Sequence, residues 1–144
     1  MSGTVIFRNS ILGGNYKWSN SCITCSTPDD CKGTLSSEDF NLIQTISGCT
    51  IIGSIANNKT GMDPKLNYPP ALNGGLTLNL ALLPGSPAID AGNTGGCRDL
   101  LGALISTDQR GFGRPVNGGV NGLRCDIGAF EYYSKALFLP LILK

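Results

Sequence analysis

No histidine occurs anywhere in this chain. That absence removes a histidine-based catalytic triad and takes away a common nitrogen ligand for zinc. Charge is also scarce: Asp, Glu, Lys and Arg make up only 15% of the residues, with a formal net charge of +1. Four of the five arginines fall between Arg98 and Arg124, beside Asp99 and Asp108, which reads as internal pairing rather than a basic face. Nucleic acid is therefore not an expected partner. No apolar run reaches the roughly 20 residues that cross a bilayer as a helix. Nor is there a signal peptide, because Met1 leads straight into Ser-Gly-Thr and a strand-like run. For a protein that works outside the cell, Met1 then marks an excised segment or a misassigned start.

What is abundant is turn chemistry. The 144 residues include 20 Gly and 8 Pro, and Asn is frequent. Gly and Asn tolerate the positive φ of tight turns, so the chain turns often. Between the turns lie short runs rich in Ile, Leu, Val, Thr and Phe, which suit strands. Such runs begin near Val5, Phe40, Thr50, Ala88 and Ile127, and a terminal strand is expected over Asp126–Tyr132. Leu76–Leu83 fits both a short helix and a strand. Residues Tyr16–Ser37 read as an ordered polar loop. Two-residue hairpin links are few, so strands are expected to stack in parallel as successive coils. A β-sandwich is the competing all-β arrangement.

Six cysteines, Cys22, Cys25, Cys31, Cys49, Cys97 and Cys125, make an even set. Cys22-Ile-Thr-Cys25 is a CxxC, but a zinc site wants a second close pair or histidines. The set reads as a disulfide framework of an oxidising compartment, with the connectivity open at this point.

Three passages carry a resemblance. They are Ala81-Leu82-Leu83-Pro84-Gly85-Ser86-Pro87-Ala88-Ile89-Asp90-Ala91-Gly92, Thr107-Asp108-Gln109-Arg110-Gly111-Phe112-Gly113-Arg114-Pro115, and Cys125-Asp126-Ile127-Gly128-Ala129-Phe130-Glu131-Tyr132. In this order the chain resembles the C-terminal region of bacterial choice-of-anchor Q domain proteins, a family of right-handed parallel β-helix surface proteins. Asn9-Ser10-Ile11-Leu12, Asn41-Leu42-Ile43 and Asn73-Gly74-Gly75 extend the likeness upstream. The resemblance implies the terminal coils of a parallel β-helix over residues 1–133, followed by an apolar tail over 134–144. It implies an extracellular or cell-surface location, and architecture more than activity. The loop Val116–Gly122 lacks the aspartates that relatives often carry there, which weakens a calcium reading. In this fold the loops need support, so cysteines flanking one loop are expected to join: Cys31–Cys49, Cys97–Cys125 and the local Cys22–Cys25.

Asp90, Asp108 and Asp126 recur every 18 residues. One reading stacks them on successive coils as the paired carboxylates of a polysaccharide lyase or hydrolase. The reading adopted here is structural: Arg110 and Arg114 pair with carboxylates among Asp90, Asp108, Asp126 and Glu131 and hold irregular loops onto the last coil. Phe130, Tyr132 and Tyr133 could offer a sugar platform, yet burial on one strand face is the plainer account. Asn58-Lys59-Thr60 matches a glycosylation pattern but reads as a surface turn. The expectation is thus a non-catalytic structural module with no metal and no cofactor. Its partners would be upstream coils or neighbouring copies at the open ends, and an envelope or surface component at the tail. Rival functions are a self-assembling extracellular subunit and a fragment of a carbohydrate-active enzyme. Ala136–Lys144 is apolar and contains Pro140. It can serve as an edge strand or a strap, either across its own domain or added to an edge of a neighbour.

Overall fold

Neighbouring residues of a strand point to opposite faces, so a strand with no exposed residue must be covered on both sides. Leu42 and Ile43 are such a pair, each 0% exposed, and the fold is arranged around them. A computed structural model describes residues 5–18 and 26–134. The expected Cys22–Cys25 pair and the tail from residue 135 lie outside the described residues.

The protein is all-β, with no helix among the described residues. Its strands are β1 (Val5–Phe7), β2 (Ile11–Leu12), β3 (Tyr16–Trp18), β4 (Ser26–Pro28), β5 (Gly33–Glu38), β6 (Leu42–Ile43), β7 (Cys49–Ser54), β8 (Lys59–Thr60), β9 (Val116–Asn117) and β10 (Leu123–Arg124). One parallel sheet has the order β1-β5-β7 and a second the order β2-β6-β8. The chain therefore makes three passes, each laying one strand in the first sheet and the next in the second. Leu35 and Ile43 meet Phe7 and Cys31 in the space between the sheets. Leu42 points the other way, into a cluster with Leu82, Ala88, Ile89, Ala91 and Ile127 from the C-terminal half. The second sheet is thus the middle of three layers.

The corners between the two strands of a pass are polar, and the register explains why. Ser10, Asn41 and Asn58 precede β2, β6 and β8 in turn. The Asn41 side-chain oxygen accepts the Ser10 N–H at 2.9 Å, and that of Asn58 accepts the Asn41 N–H at 2.9 Å. The Asn41 amide donates to Phe7 O and Ser37 Oγ, and the Asn58 amide also reaches Ser37 Oγ. Asn9, Asp39 and Phe40 turn there with positive φ. Asp39 accepts the N–H and side-chain amide of Asn57. Burial works to raise its pKa, but these bonds outweigh it and hold the carboxyl below its ordinary value.

Among the described residues there are two disulfides, Cys31–Cys49 and Cys97–Cys125. The first ties the starts of β5 and β7; the second ties a loop to the buried Cys125. With sequence separations of 18 and 28, each contributes about 3–4 kcal/mol in the chain-entropy model.

Four local expectations differ from what is observed. The run beginning near Ala88 lies in a turn and forms no strand. Tyr16–Ser37 contains strands β3, β4 and β5 rather than loop alone, and β3 and β4 pair antiparallel. Leu76–Leu83 is neither helix nor strand: isolated antiparallel bridges join Leu66 to Leu82 and Ala71 to Asn79, leaving Leu76 and Leu78 exposed. Asp126–Tyr132 is not a strand: the N–H groups of Asp126, Glu131 and Tyr132 go to carboxylates, and those of Ile127 and Gly128 to the single carbonyls of Ala88 and Asn9.

Asn41→Ala tests the corner ladder. It strands the Ser10 N–H and the Phe7 carbonyl together, so urea unfolding is expected to show a loss of about 2–3 kcal/mol, against under about 0.5 kcal/mol for a substitution at exposed Lys17.

Candidate functional site

The C-terminal half has little regular structure to satisfy its backbone, so side chains do that work. Four carboxylates converge there. Asp90, Asp126 and Glu131 are 0% exposed and Asp108 is buried.

Asp90 sits with φ of 49° just after the buried Ala88-Ile89. Its carboxylate accepts the N–H groups of Gly118 and Val120 at 2.9 Å each and of Asn121 at 3.3 Å. It pulls the 116–122 loop onto the core. Gly118 is needed there, since a Cβ would lie 2.4 Å from Ile89 Cγ2. Asp126 takes the Asp90 N–H at 2.7 Å on one oxygen and the Tyr132 N–H on the other. Glu131 accepts the Val116 N–H at 2.8 Å and the Asp126 N–H at 3.3 Å. Asp108 accepts N–H groups of Arg110, Phe112 and Glu131. Each carboxylate thereby fixes a loop residue that a strand would have fixed through a neighbouring carbonyl.

The arginines close the cluster. Arg110 grips Asp108 Oδ2 through Nε at 2.8 Å and Nη2 at 2.6 Å, and Nη2 also donates to Glu131 O. Its guanidinium lies 3.6 Å from the Phe130 ring centroid and 4.6 Å from that of Phe112. Such stacking suits a planar, weakly hydrated cation. Arg114 Nε comes within 3.2 Å of Glu131 Oε2 as an ion pair without hydrogen-bond alignment. Its Nη groups donate to the carbonyls of Gly128 and Asp126. Arg124 donates to Gly92 O at 2.6 Å.

The structure thus brings Asp90, Asp108, Arg110, Arg114, Asp126 and Glu131 together, with direct ion pairs Arg110–Asp108 and Arg114–Glu131. Asp90, Asp108 and Asp126 do not stack on successive coils; Asp90 and Asp126 meet through a backbone N–H within one layer. Phe130 and Tyr132 pack against the Leu42 cluster, while Tyr133 donates to Gly113 O. The cluster also reaches the first pass: Asn9 donates to Asp126 O, and Gly128 N to Asn9 O.

Electrostatics divides the carboxylates. Burial is the main cause that pushes the Asp126 pKa up to about 7; the Asp90 and Tyr132 N–H groups oppose it, and the charges of Glu131 and Asp90 add to it. Burial also raises Glu131, against the pull of the Val116 N–H and Arg114. At Asp108 burial is again the largest single influence, yet Arg110 and three N–H groups outweigh it and the carboxyl lies below its ordinary value.

Sequence reading passed over Ser37 and gave Asn41 no hydrogen-bonding role, and it took Asn58-Lys59-Thr60 for a surface turn, whereas Asn58 bonds Asn41 and Ser37 at a corner and Lys59–Thr60 is β8. The signal of the corners was a polar residue before a strand pair in Ser10-Ile11-Leu12, Asn41-Leu42-Ile43 and Asn58-Lys59-Thr60. Among the described residues no group of three or more Cys, Asp and Glu is placed to hold a metal ion. Compared with family models, curated proteins and solved structures, the chain matches none.

Asp126 makes stability pH-dependent with a definite sign. Its folded pKa of about 7 exceeds the ordinary 3.8, so the native state keeps a proton that the unfolded chain releases. That contribution is full below about pH 4 and is lost as pH rises through about 7. Asp108, held low, contributes in the opposite sense: its share is present above the ordinary carboxylate pKa and lost as pH falls below it. Urea midpoints should therefore decline from mildly acidic to mildly alkaline pH, and Asp126→Asn should flatten that slope while lowering stability throughout.

Arg114→Met leaves Glu131 buried with no cation beside it and is expected to cost about 3–5 kcal/mol. Arg8 pairs with the half-exposed Glu38 at 3.1 Å, so Glu38→Gln should cost under about 1 kcal/mol in the same denaturation experiment.

Proposed function

We propose that this chain is a non-catalytic structural module that ends a right-handed parallel β-helix of a secreted or cell-surface protein, supporting adhesion or envelope attachment. The observation that carries the reading is the stacking of three passes in the same order and in parallel in two sheets. Their corners are linked by asparagine side chains. Successive coils of a solenoid need that repetition, whereas the sheets of a β-sandwich are antiparallel. The resemblance of the Asp90, Asp108 and Asp126 passages to choice-of-anchor Q domain proteins points the same way. Two disulfides suit an oxidising compartment outside the cytosol. No described helix is long and apolar enough to cross a membrane.

The carboxylate cluster favours support over chemistry. A general acid or base has to reach its substrate. Asp90, Asp126 and Glu131 have no exposed surface, and their oxygens already accept backbone N–H groups. What they do is close a solenoid end whose loops would otherwise carry unsatisfied donors.

The test is a fusion in which the full chain replaces the terminal coils of a parallel β-helix of known structure. The hybrid is expected to be soluble and monomeric, with one cooperative unfolding transition. Two separate transitions, or aggregation through the junction, would sink the reading. The same protein incubated with acidic and neutral polysaccharides should release no new chain ends; cleavage abolished by Asp126→Asn would establish the carbohydrate-active alternative.

A further inference from the structure

The chain leaves the second sheet on one side, and the three exits meet there. Gly14 and Tyr16 follow β2, Gln44 follows β6, and Asp63, Pro64 and Lys65 follow β8; with Tyr68 they line a groove of about 400 Å³. Its aromatic walls stand in water: Tyr16 is 60% and Tyr68 57% exposed, and neither ring packs on another aromatic ring among the described residues. A further exposed ring, Trp18, lies two residues beyond Tyr16 on the same face of β3. The groove is built into the backbone. A Cβ at Gly13 would come within 2.8 Å of Pro64 Cγ, and one at Gly14 would overlap the Tyr68 hydroxyl, so the two glycines let the third pass close onto the first. Lys65 holds a φ of 49°, fixed by Asp63 Oδ1, which accepts its N–H at 2.8 Å, and by the Leu83 N–H on its carbonyl.

The polar groups of the groove are of opposite kinds. Gln44 Oε1 accepts the Gly14 N–H at 3.1 Å, which fixes the amide and leaves its NH2 group to donate. The Lys65 ammonium offers donors only. The Asp63 carboxylate offers acceptors only, and its Oδ2 has no partner among the described residues. The two charges do not pair: Lys65 Nζ runs to Gly85, and the ion pairs among the described residues lie elsewhere. A fitting ligand therefore donates and accepts along one rim and offers an apolar face to the tyrosines. A pyranose does both, because its hydroxyls donate and accept while its axial C–H groups form a flat face that settles on an aromatic ring. A proline-rich segment also stacks on tyrosines, but it brings carbonyl acceptors and no proline N–H for Asp63. One anion and one cation balance, so nothing in the groove selects a polyanion. We propose that this groove binds a short neutral pyranose glycan, stacked on Tyr16 and Tyr68, with hydroxyls donating to Asp63 and accepting from Gln44 and Lys65. Its volume lies near the lower end of small-ligand sites, about 300–1,000 Å³, which suits one or two sugar rings. Asp63 is the single carboxylate in the lining, and glycoside cleavage uses a pair, so the glycan is held and not cut. The inference rests on the adhesion reading and names what is gripped.

Calorimetric titration of the full chain with cellotetraose and with chitotetraose tests this, with polygalacturonate oligomers as the acidic comparison. Saturable binding of at least one neutral probe is expected, with no shorter sugars released. Tyr16→Leu and Tyr68→Leu keep apolar bulk and remove a ring, and each is expected to weaken binding about tenfold. Asp63→Asn keeps an acceptor for the Lys65 N–H and removes the charge, so it should weaken binding about fivefold and serves if a ring variant fails to fold. Lys17→Ala, on the opposite face of β3, should leave binding unchanged. No binding of either neutral probe at millimolar concentration overturns the inference. Binding that survives in the Tyr16→Leu, Tyr68→Leu double variant overturns it too, as does polygalacturonate binding more tightly than both neutral probes. A proline-rich decapeptide that binds where the glycans do not, and is lost in the double variant, overturns it in favour of a protein partner. Failure of the solenoid-end reading would show separately, as two unfolding transitions in the fused protein with this titration unchanged.

Discussion

Two consecutive side chains, Leu42 and Ile43, face opposite ways and neither meets water. Most of the molecule follows from that constraint. A two-residue strand cannot hold itself in place, so it needs β2 and β8 on its edges and an apolar layer against each face. The first sheet provides one layer with few residues. The other has to come from the C-terminal half, which lacks long strands and presents Leu82, Ala88, Ile89, Ala91 and Ile127 from loops.

Loops that bury apolar residues also bury their own backbone, and here carboxylates resolve the conflict. A carboxylate can accept several N–H groups at once and from different directions, which a single strand neighbour cannot do. Asp90 alone gathers three N–H groups of the 118–121 loop. Charge inside the protein is the difficulty that comes with this solution. Arg110 and Arg114 answer it for Asp108 and Glu131. Asp126 has no arginine against its carboxylate and answers by holding its proton more tightly.

How much of this was legible in the sequence varied with what each segment uses to hold itself. β2 and β6 could be read because both are wholly aliphatic, and β7 because Thr50-Ile51-Ile52 is a β-branched run. β5 could not: in Gly-Thr-Leu-Ser-Ser-Glu only Leu35 is apolar and buried, and Ser37 is buried through hydrogen bonds that composition does not reveal. Asp126–Tyr132 misled in the other direction. Ile127, Phe130 and Tyr132 have the look of a strand, but Asp126 and Glu131 consume the N–H groups of Tyr132 and Asp126 themselves. At the candidate site, charge scarcity combined with clustered arginines pointed to internal pairing. The partners that mattered as much, the backbone N–H groups of Gly118, Val120 and Val116, carry no mark in a sequence.

The corners of the three passes are not evenly spaced along the chain. Ser10 and Asn41 are 31 residues apart, and Asn41 and Asn58 only 17. The strand pairing is indifferent to that difference, because each pass is set by its corner side chain and strand pair and not by the length of chain between them. The longer excursion projects the β3–β4 ribbon, with Tyr16 and Trp18 exposed. Its base is held by the Asp30 carboxylate on Asn15 and by the Cys31–Cys49 bridge. Such a scaffold separates the part that folds from the part that varies. Segments can lengthen, shorten or be exchanged at that outlet while the strands on either side of it keep their parallel register.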